Sequence, residues 1–163
     1  MSRRLFIAAI ILALLAPVLA ARAAAAEIQP FGRDGWQGLT AAHAGRALVV
    51  HFWSLTCAPC IAEMPEWAKL ARRSRSFDLV LVATDPIEET PRLAAALKQW
   101  GLDGVESWAF ADRFTEKLRY AVDPHWHGEL PMTRLVAADG AGQTVIGSLR
   151  SSGLGDRLAG HGR

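Results

Sequence analysis

The sequence predicts an α/β architecture: a mixed sheet with flanking helices and a short final helix. Three observations carry this. Two apolar runs, residues 47–53 (ALVVHFW) and 77–84 (FDLVLVAT), have the length and β-branched content of strands buried on both faces. Segments with helical spacing follow each of them, at residues 58–73 and 88–100. Two more strands, residues 132–137 and 143–149, flank Asp139-Gly140-Ala141-Gly142 and read as a hairpin. The order β-α-β-α-(α)-β-β then gives a mixed sheet covered by helices.

Taken in order, the chain opens on a leader. Arg3 and Arg4 precede an uncharged apolar run, residues 5–16, and small residues follow with two A-x-A sites at 21–23 and 24–26. Residues 1–26 therefore read as a signal peptide, favoured by Pro17 and the alanine-rich tail. The alternative is an uncleaved anchor, because residues 5–21 reach the short end of a membrane span. Either way residues 27–163 are expected outside the cytoplasm, in a bacterial periplasm. Residues 27–46 are Gly-rich and mixed, with Trp36 and Leu39 as core contacts. Residues 54–56 form a turn. The helix at 58–73 has Ile61, Met64, Leu70 and Ala71 on its apolar face. Lys69, Arg72 and Arg73 at its end complement its dipole, and Pro65 is expected to kink it. Gly101 stops the second helix. Residues 105–111 read as a short strand or loop, and 114–121 as a short helix with Leu118 and Tyr120. The tail, 151–163, has room for one short helix at most.

At 163 residues the chain is one domain, and with 51% apolar and 21% charged residues it can bury a real core. Long-range disorder and fibrous structure are excluded. Without the leader 15 basic and 16 acidic residues remain, so the domain is near neutral and lacks the basic footprint of a nucleic-acid binder. No phosphate-binding glycine motif follows a strand, so no organic cofactor is implied.

Chemistry concentrates at Cys57 and Cys60, the only cysteines (C-A-P-C). Exported cysteines tend to be oxidised. A bridge closing two intervening residues does little as a staple, because disulfide stabilisation grows with loop length. The pair also sits where a strand ends and a helix begins. There, unpaired N–H groups and the helix dipole stabilise an anion, so Cys57 should ionise easily and attack. Cys60, one turn deeper on the same face, would resolve the mixed disulfide. The other reading is a zinc half-site. Four ligands are needed and there is no second Cys pair, although histidines could complete a set.

The stretch 49–65, V-V-H-F-W-S-L-T-C-A-P-C-I-A-E-M-P, resembles the thioredoxin superfamily. It looks most like the exported TlpA/ResA-type thiol-disulfide oxidoreductases, a likeness running from about Gly38 to Gly147. Phe52 and Trp53 match the F-W before the active turn, Cys57 and Cys60 the redox pair, Pro65 the helix proline, and Asp139-Gly140 the last hairpin's turn. The resemblance implies a thioredoxin-like sheet. It also implies that Pro131, in Leu130-Pro131-Met132-Thr133, is the cis-proline facing the redox pair. That would leave the Leu130 main chain free to pair with an extended substrate segment, whereas an ordinary trans proline starting a strand is the alternative. It implies an acid near the pair as well. Glu63 is expected partly buried, with a raised pKa, moving the proton of Cys60; the alternative is a solvent-facing helix glutamate.

Three features depart from the family. His51 stands where thioredoxins bury an acid, six residues before the first Cys. It reads as a hydrogen-bonded core histidine, with a proton relay as the alternative. Thr56 replaces the usual Trp, which changes the docking surface more than the chemistry. Residues 123–129 (DPHWHGE) are longer than the usual loop. They read as a specificity rim exposing Trp126, with copper binding by His125, His127 and the cysteines as the alternative. The other tryptophans, 36, 53, 67, 100 and 108, read as core.

The sequence thus points to a periplasmic thiol-disulfide oxidoreductase acting on a disulfide-bearing substrate protein. Pro59 before the second Cys implies, by resemblance, a reductase serving cytochrome c or other metalloprotein maturation. Such an enzyme needs a membrane thiol donor to re-reduce it. A copper-binding or metallochaperone module is the second reading.

Overall fold

The structure, a computed structural model, describes residues 27–73 and 75–160. The leader, and with it the choice between signal peptide and anchor, lies outside the described residues. Among those described, no helix is long and apolar enough to cross a membrane.

Among the described residues the strands and α-helices follow in order: β1 (Gln29–Phe31), α1 (Gly35–Ala42), β2 (Leu48–Trp53), α2 (Ala58–Arg73), β3 (Asp78–Pro86), α3 (Thr90–Trp100), β4 (Glu106–Phe110), α4 (Thr115–Val122), β5 (Met132–Val136), β6 (Gly142–Ile146) and α5 (Leu154–Gly160), with a 3-10 turn at Ile87–Glu89 leading into α3. The sheet order is β1-β4-β3-β2-β5-β6. The strands β1, β4, β3 and β2 run parallel; β5 pairs antiparallel with β2, and β6 antiparallel with β5 at the sheet edge. The expected mixed sheet with flanking helices and a short last helix is present.

Every residue of β2 is buried, as its unbroken apolar run requires. Successive side chains alternate between faces. Leu48, Val50 and Phe52 enter a core with Phe31, Leu39, Leu118, Val122 and Met132, under α1 and α4. Val49 and Trp53 enter a second core with Met64, Trp67, Leu81, Leu93, Leu97 and Leu154, under α2, α3 and α5. Trp53 meets the edge of Trp100 at 5.6 Å between centroids.

Gly101 ends α3 with φ +69°. Its N–H reaches Leu97 and Lys98, and the Leu102 N–H bonds the Leu97 carbonyl, closing the helix in the left-handed turn that glycine adopts without Cβ strain. Pro65 lies inside α2, which continues through it.

Residues 27–46, read only as Gly-rich and mixed, hold β1 and α1. A three-residue strand carries no readable alternation, and Gly35 and Gly38 depress helix propensity until tertiary packing of Leu39 overrides it. The helix carrying Leu118 and Tyr120 is present as α4, with Leu118 buried and Tyr120 67% exposed. The tail does form one short helix, and Leu154 and Leu158 bury it against α2. Leu154→Ala is expected to cost about 2–5 kcal/mol, the range for emptying a fully buried leucine site, read from the denaturant midpoint.

Candidate active site

The redox pair stands on the turn between β2 and α2. Parallel β2 and β3 end on the same side of the sheet, the end at which sites form in α/β folds. Cys57 and Cys60 are joined in a disulfide. Cys57 is half-buried and Cys60 fully buried. Cys57 occupies the cap position of α2. Its carbonyl accepts the Ile61 N–H at 3.0 Å, and its Sγ accepts the Cys60 N–H at 3.2 Å. The sulfur therefore takes the place of a capping oxygen, and a thiolate there meets one of the orphan donors of the helix start.

Asp85, at the end of β3, holds the turn from the other side. Its Oδ1 accepts the Ser54 hydroxyl at 3.2 Å, and its Oδ2 the Leu55 N–H at 3.0 Å. The Ser54 Oγ in turn accepts the Thr56 N–H at 3.1 Å. Sequence reading missed Asp85. The available signal was an acid at the C-terminal end of an apolar strand parallel to the one bearing the cysteines. Asp85→Ala leaves the Leu55 amide without its acceptor. It is expected to lower stability by about 1–3 kcal/mol and to slow disulfide exchange, with Asp85→Asn intermediate because one acceptor survives. Thermal melts and exchange rates on the three proteins check this.

Behind Cys60 lies a buried polar cluster. Cys60, Glu63, Met64 and Trp67 share the inner face of α2 at helical spacing. Glu63 is only 6% exposed, which removes the solvent-facing alternative. Its Oε1 accepts the Trp67 indole N–H at 3.2 Å and its Oε2 the Leu149 N–H at 2.5 Å. Burial pushes the carboxyl above the ordinary glutamate value, against the lowering effect of the Leu149 and Trp67 bonds. His51, from β2, is fully buried with its ring 4.5 Å from that of Trp67. Its Nδ1 pairs with the Thr133 hydroxyl at 3.1 Å, and its Nε2 lies 3.3 Å from the Glu63 Oε1. Burial lowers the imidazole to about 3, so this is a contact of a neutral ring and not an ion pair. The roles of Thr133 and Leu149 were also missed, because nothing local marks them.

The Leu130–Pro131 bond is cis. Met132 pairs with Phe52 across β5 and β2, so Pro131 lies level with the end of β2 from which the cysteine turn springs. The Pro131 carbonyl accepts the Gly147 N–H at 2.9 Å.

Trp126 does not form an exposed rim. It is 4% exposed, its ring 4.7 Å from that of Phe52, and its Nε1 donates to the Glu129 carbonyl at 2.9 Å. The loop folds inward on its one large apolar side chain, because burying an indole outweighs displaying it once the N–H has a partner. His125 is left pointing out, 95% exposed, with Nδ1 3.3 Å from Asp123 Oδ1. Among the described residues no group of three or more His, Cys, Asp or Glu is arranged to hold a metal ion. His125, His127 and the cysteines are not brought together as a copper set.

The fold has known counterparts. A secreted Mycobacterium tuberculosis disulfide oxidoreductase homologous to Escherichia coli DsbE superposes with a TM-score of 0.57 at 20% identity, over 74% of this chain and 85% of that one. A thioredoxin-related protein from Neisseria meningitidis serogroup B gives 0.58 at 24%, over 71% and 84%. A thiol:disulfide interchange protein of the thioredoxin family from Chlorobium tepidum gives 0.57 at 22%, over 76% and 83%. No protein-family model and no curated protein matches the chain. The molecule therefore has a thioredoxin-like fold, shared with a disulfide oxidoreductase, a thiol:disulfide interchange protein and a thioredoxin-related protein, and carries a CxxC disulfide at the head of its second helix.

Proposed function

We propose that the protein is a thiol-disulfide oxidoreductase that reduces disulfides in exported substrate proteins. The observation that carries this is the asymmetry of the pair: one sulfur reachable at a helix start, the other buried behind it. In the reduced protein the Cys57 thiolate attacks a substrate disulfide. One substrate sulfur leaves as a thiolate, and the other stays in a mixed disulfide with Cys57. Cys60 gives its proton to Glu63 and attacks the Cys57 sulfur. The second substrate thiolate leaves, and the Cys57–Cys60 disulfide remains. Two electrons have passed from protein to substrate, and a thiol donor must return them.

Leu130 and Pro131 suit the substrate-binding role, with the Leu130 main chain pairing to an extended segment beside Cys57. Trp126 supports this loop from beneath and touches no substrate. A periplasmic setting fits the leader in the sequence and the secreted Mycobacterium relative. The re-reducing donor is then membrane-borne, and the leader is removed or kept as an anchor. Pro59 before the second cysteine favours the reducing direction, as it does by resemblance. The reduction potential tests it: a value nearer thioredoxin, about −270 mV, is expected, and one near about −120 mV would make the protein an oxidant instead.

A further inference from the structure

The buried cluster holds one atom that the reaction above leaves unexplained. His51 Nε2 is fully buried, lies 3.3 Å from the Glu63 Oε1, and makes no hydrogen bond. A buried polar atom without a partner costs stability, so its persistence asks for a reason. The other ring nitrogen is already held by Thr133. Resting on the thiol-disulfide reading, we infer that His51 is a positioning residue for Glu63, its Nε2 serving as acceptor for the proton that Glu63 takes from Cys60.

The chemistry balances without a new reactant. Cys60 S–H and the Glu63 carboxylate become the Cys60 thiolate and the Glu63 carboxylic acid. The thiolate is consumed in forming the disulfide, so the acid is left with a proton and nowhere polar to put it. Both carboxyl oxygens already accept hydrogen bonds, from Trp67 and Leu149. A neutral imidazole with its Nδ1–H given to Thr133 Oγ1 offers a lone pair at Nε2 and nothing else. The ring stays neutral because burial opposes its charging, so it accepts the hydrogen bond without taking the proton. Glu63 is then free to return that proton when the protein is re-reduced.

Among the described residues the surroundings present no competing charge. From α2 the cluster meets Cys60 and Trp67, from β5 Thr133, from the loop before α5 the Leu149 amide, and from β3 Leu81, which lies beside His51 in register. Cys60 is the remaining titratable group on this face.

The test separates the resolving step from the attack. A mixed disulfide is formed on Cys57 of the whole chain with a small chromogenic thiol. Its release by Cys60 is timed across pH 5–9 for the wild type, His51→Leu and His51→Gln, with thermal melts confirming that each folds. His51→Leu is expected to slow release about tenfold, the worth of one hydrogen bond to a buried acid, and to shift its pH dependence. His51→Gln, whose amide oxygen can occupy the place of Nε2, is expected to remain within about threefold of wild type with the wild-type profile. If His51→Leu does not fold, His51→Gln is compared with Thr133→Val, which frees Nδ1 and should show the slowed release. Wild-type rates and profile in His51→Leu would overturn the inference while leaving the thiol chemistry intact. Equal slowing in His51→Gln would overturn it too, by reducing His51 to a packing residue. A wild-type protein that forms no mixed disulfide at all would instead remove the reading on which the inference rests.

Discussion

Cys57→Ser is expected to leave no measurable disulfide reduction, a loss of at least about a thousandfold, because a serine hydroxyl at a helix start is not an anion at neutral pH. Cys60→Ser should behave differently. Cys57 keeps its place at the cap, with the residue 60 amide still aimed at its sulfur, so attack proceeds. The buried resolving sulfur is gone, and the reaction stops at the mixed disulfide. Turnover is lost in both variants, yet only Cys60→Ser accumulates covalent adducts with substrate proteins. Non-reducing electrophoresis after incubation with a disulfide substrate distinguishes them, and the adducts name the natural partners. Equal trapping by both variants would contradict the assigned order of attack.

The second large effect is on stability in acid. His51 is protonated in the unfolded chain below about pH 6.5, whereas burial lowers it to about 3 in the fold. Between these values the unfolded state binds a proton that the folded state refuses. Stability therefore falls as pH drops through this window, by up to about 1.4 kcal/mol per pH unit, and levels off below about 3. Over the whole window this is of the order of 4–5 kcal/mol as an upper bound, a large fraction of a typical domain's stability. Glu63 works with the opposite sign. Its pKa is raised in the fold, so its contribution is full below the unfolded glutamate value and is lost as pH rises through the folded one. His51→Leu should flatten the acid limb of the stability profile, and Glu63→Gln should steepen it above the ordinary glutamate value. Urea melts at half-unit pH steps on the three proteins check both signs. An unchanged acid limb in His51→Leu would mean that the imidazole titrates normally.

The part of the site legible in the sequence is the contiguous part. Residues 49–65 carry a buried strand, a turn, a redox pair and a helix within a few turns of chain, and local periodicity identifies each. Glu63 was legible through the family resemblance, which implies an acid three residues beyond Cys60. What holds Glu63 was not legible. The Leu149 amide lies 86 residues away, and Thr133 lies 82 residues from His51. Such partners are set by strand register and by the docking of the last helix, which no local pattern records. Asp85 was hidden for the same reason, 31 residues from the serine it holds. Trp126 failed in the other direction. Its two histidine neighbours and long loop suggested display, but an indole within reach of Phe52 and a backbone carbonyl is better buried. The first strand and helix were lost to short length and to glycine.

The central claim is that the helix start activates the sulfur of Cys57. The most direct measurement is the pH dependence of its alkylation by iodoacetamide in the fully reduced protein, followed by mass spectrometry so that Cys57 and Cys60 are counted separately. Half-maximal reactivity at or below about pH 7.5, with Cys60 lagging, is the expected result. A midpoint at or above the ordinary thiol value of about 8.5, or Cys60 reacting first, would contradict it.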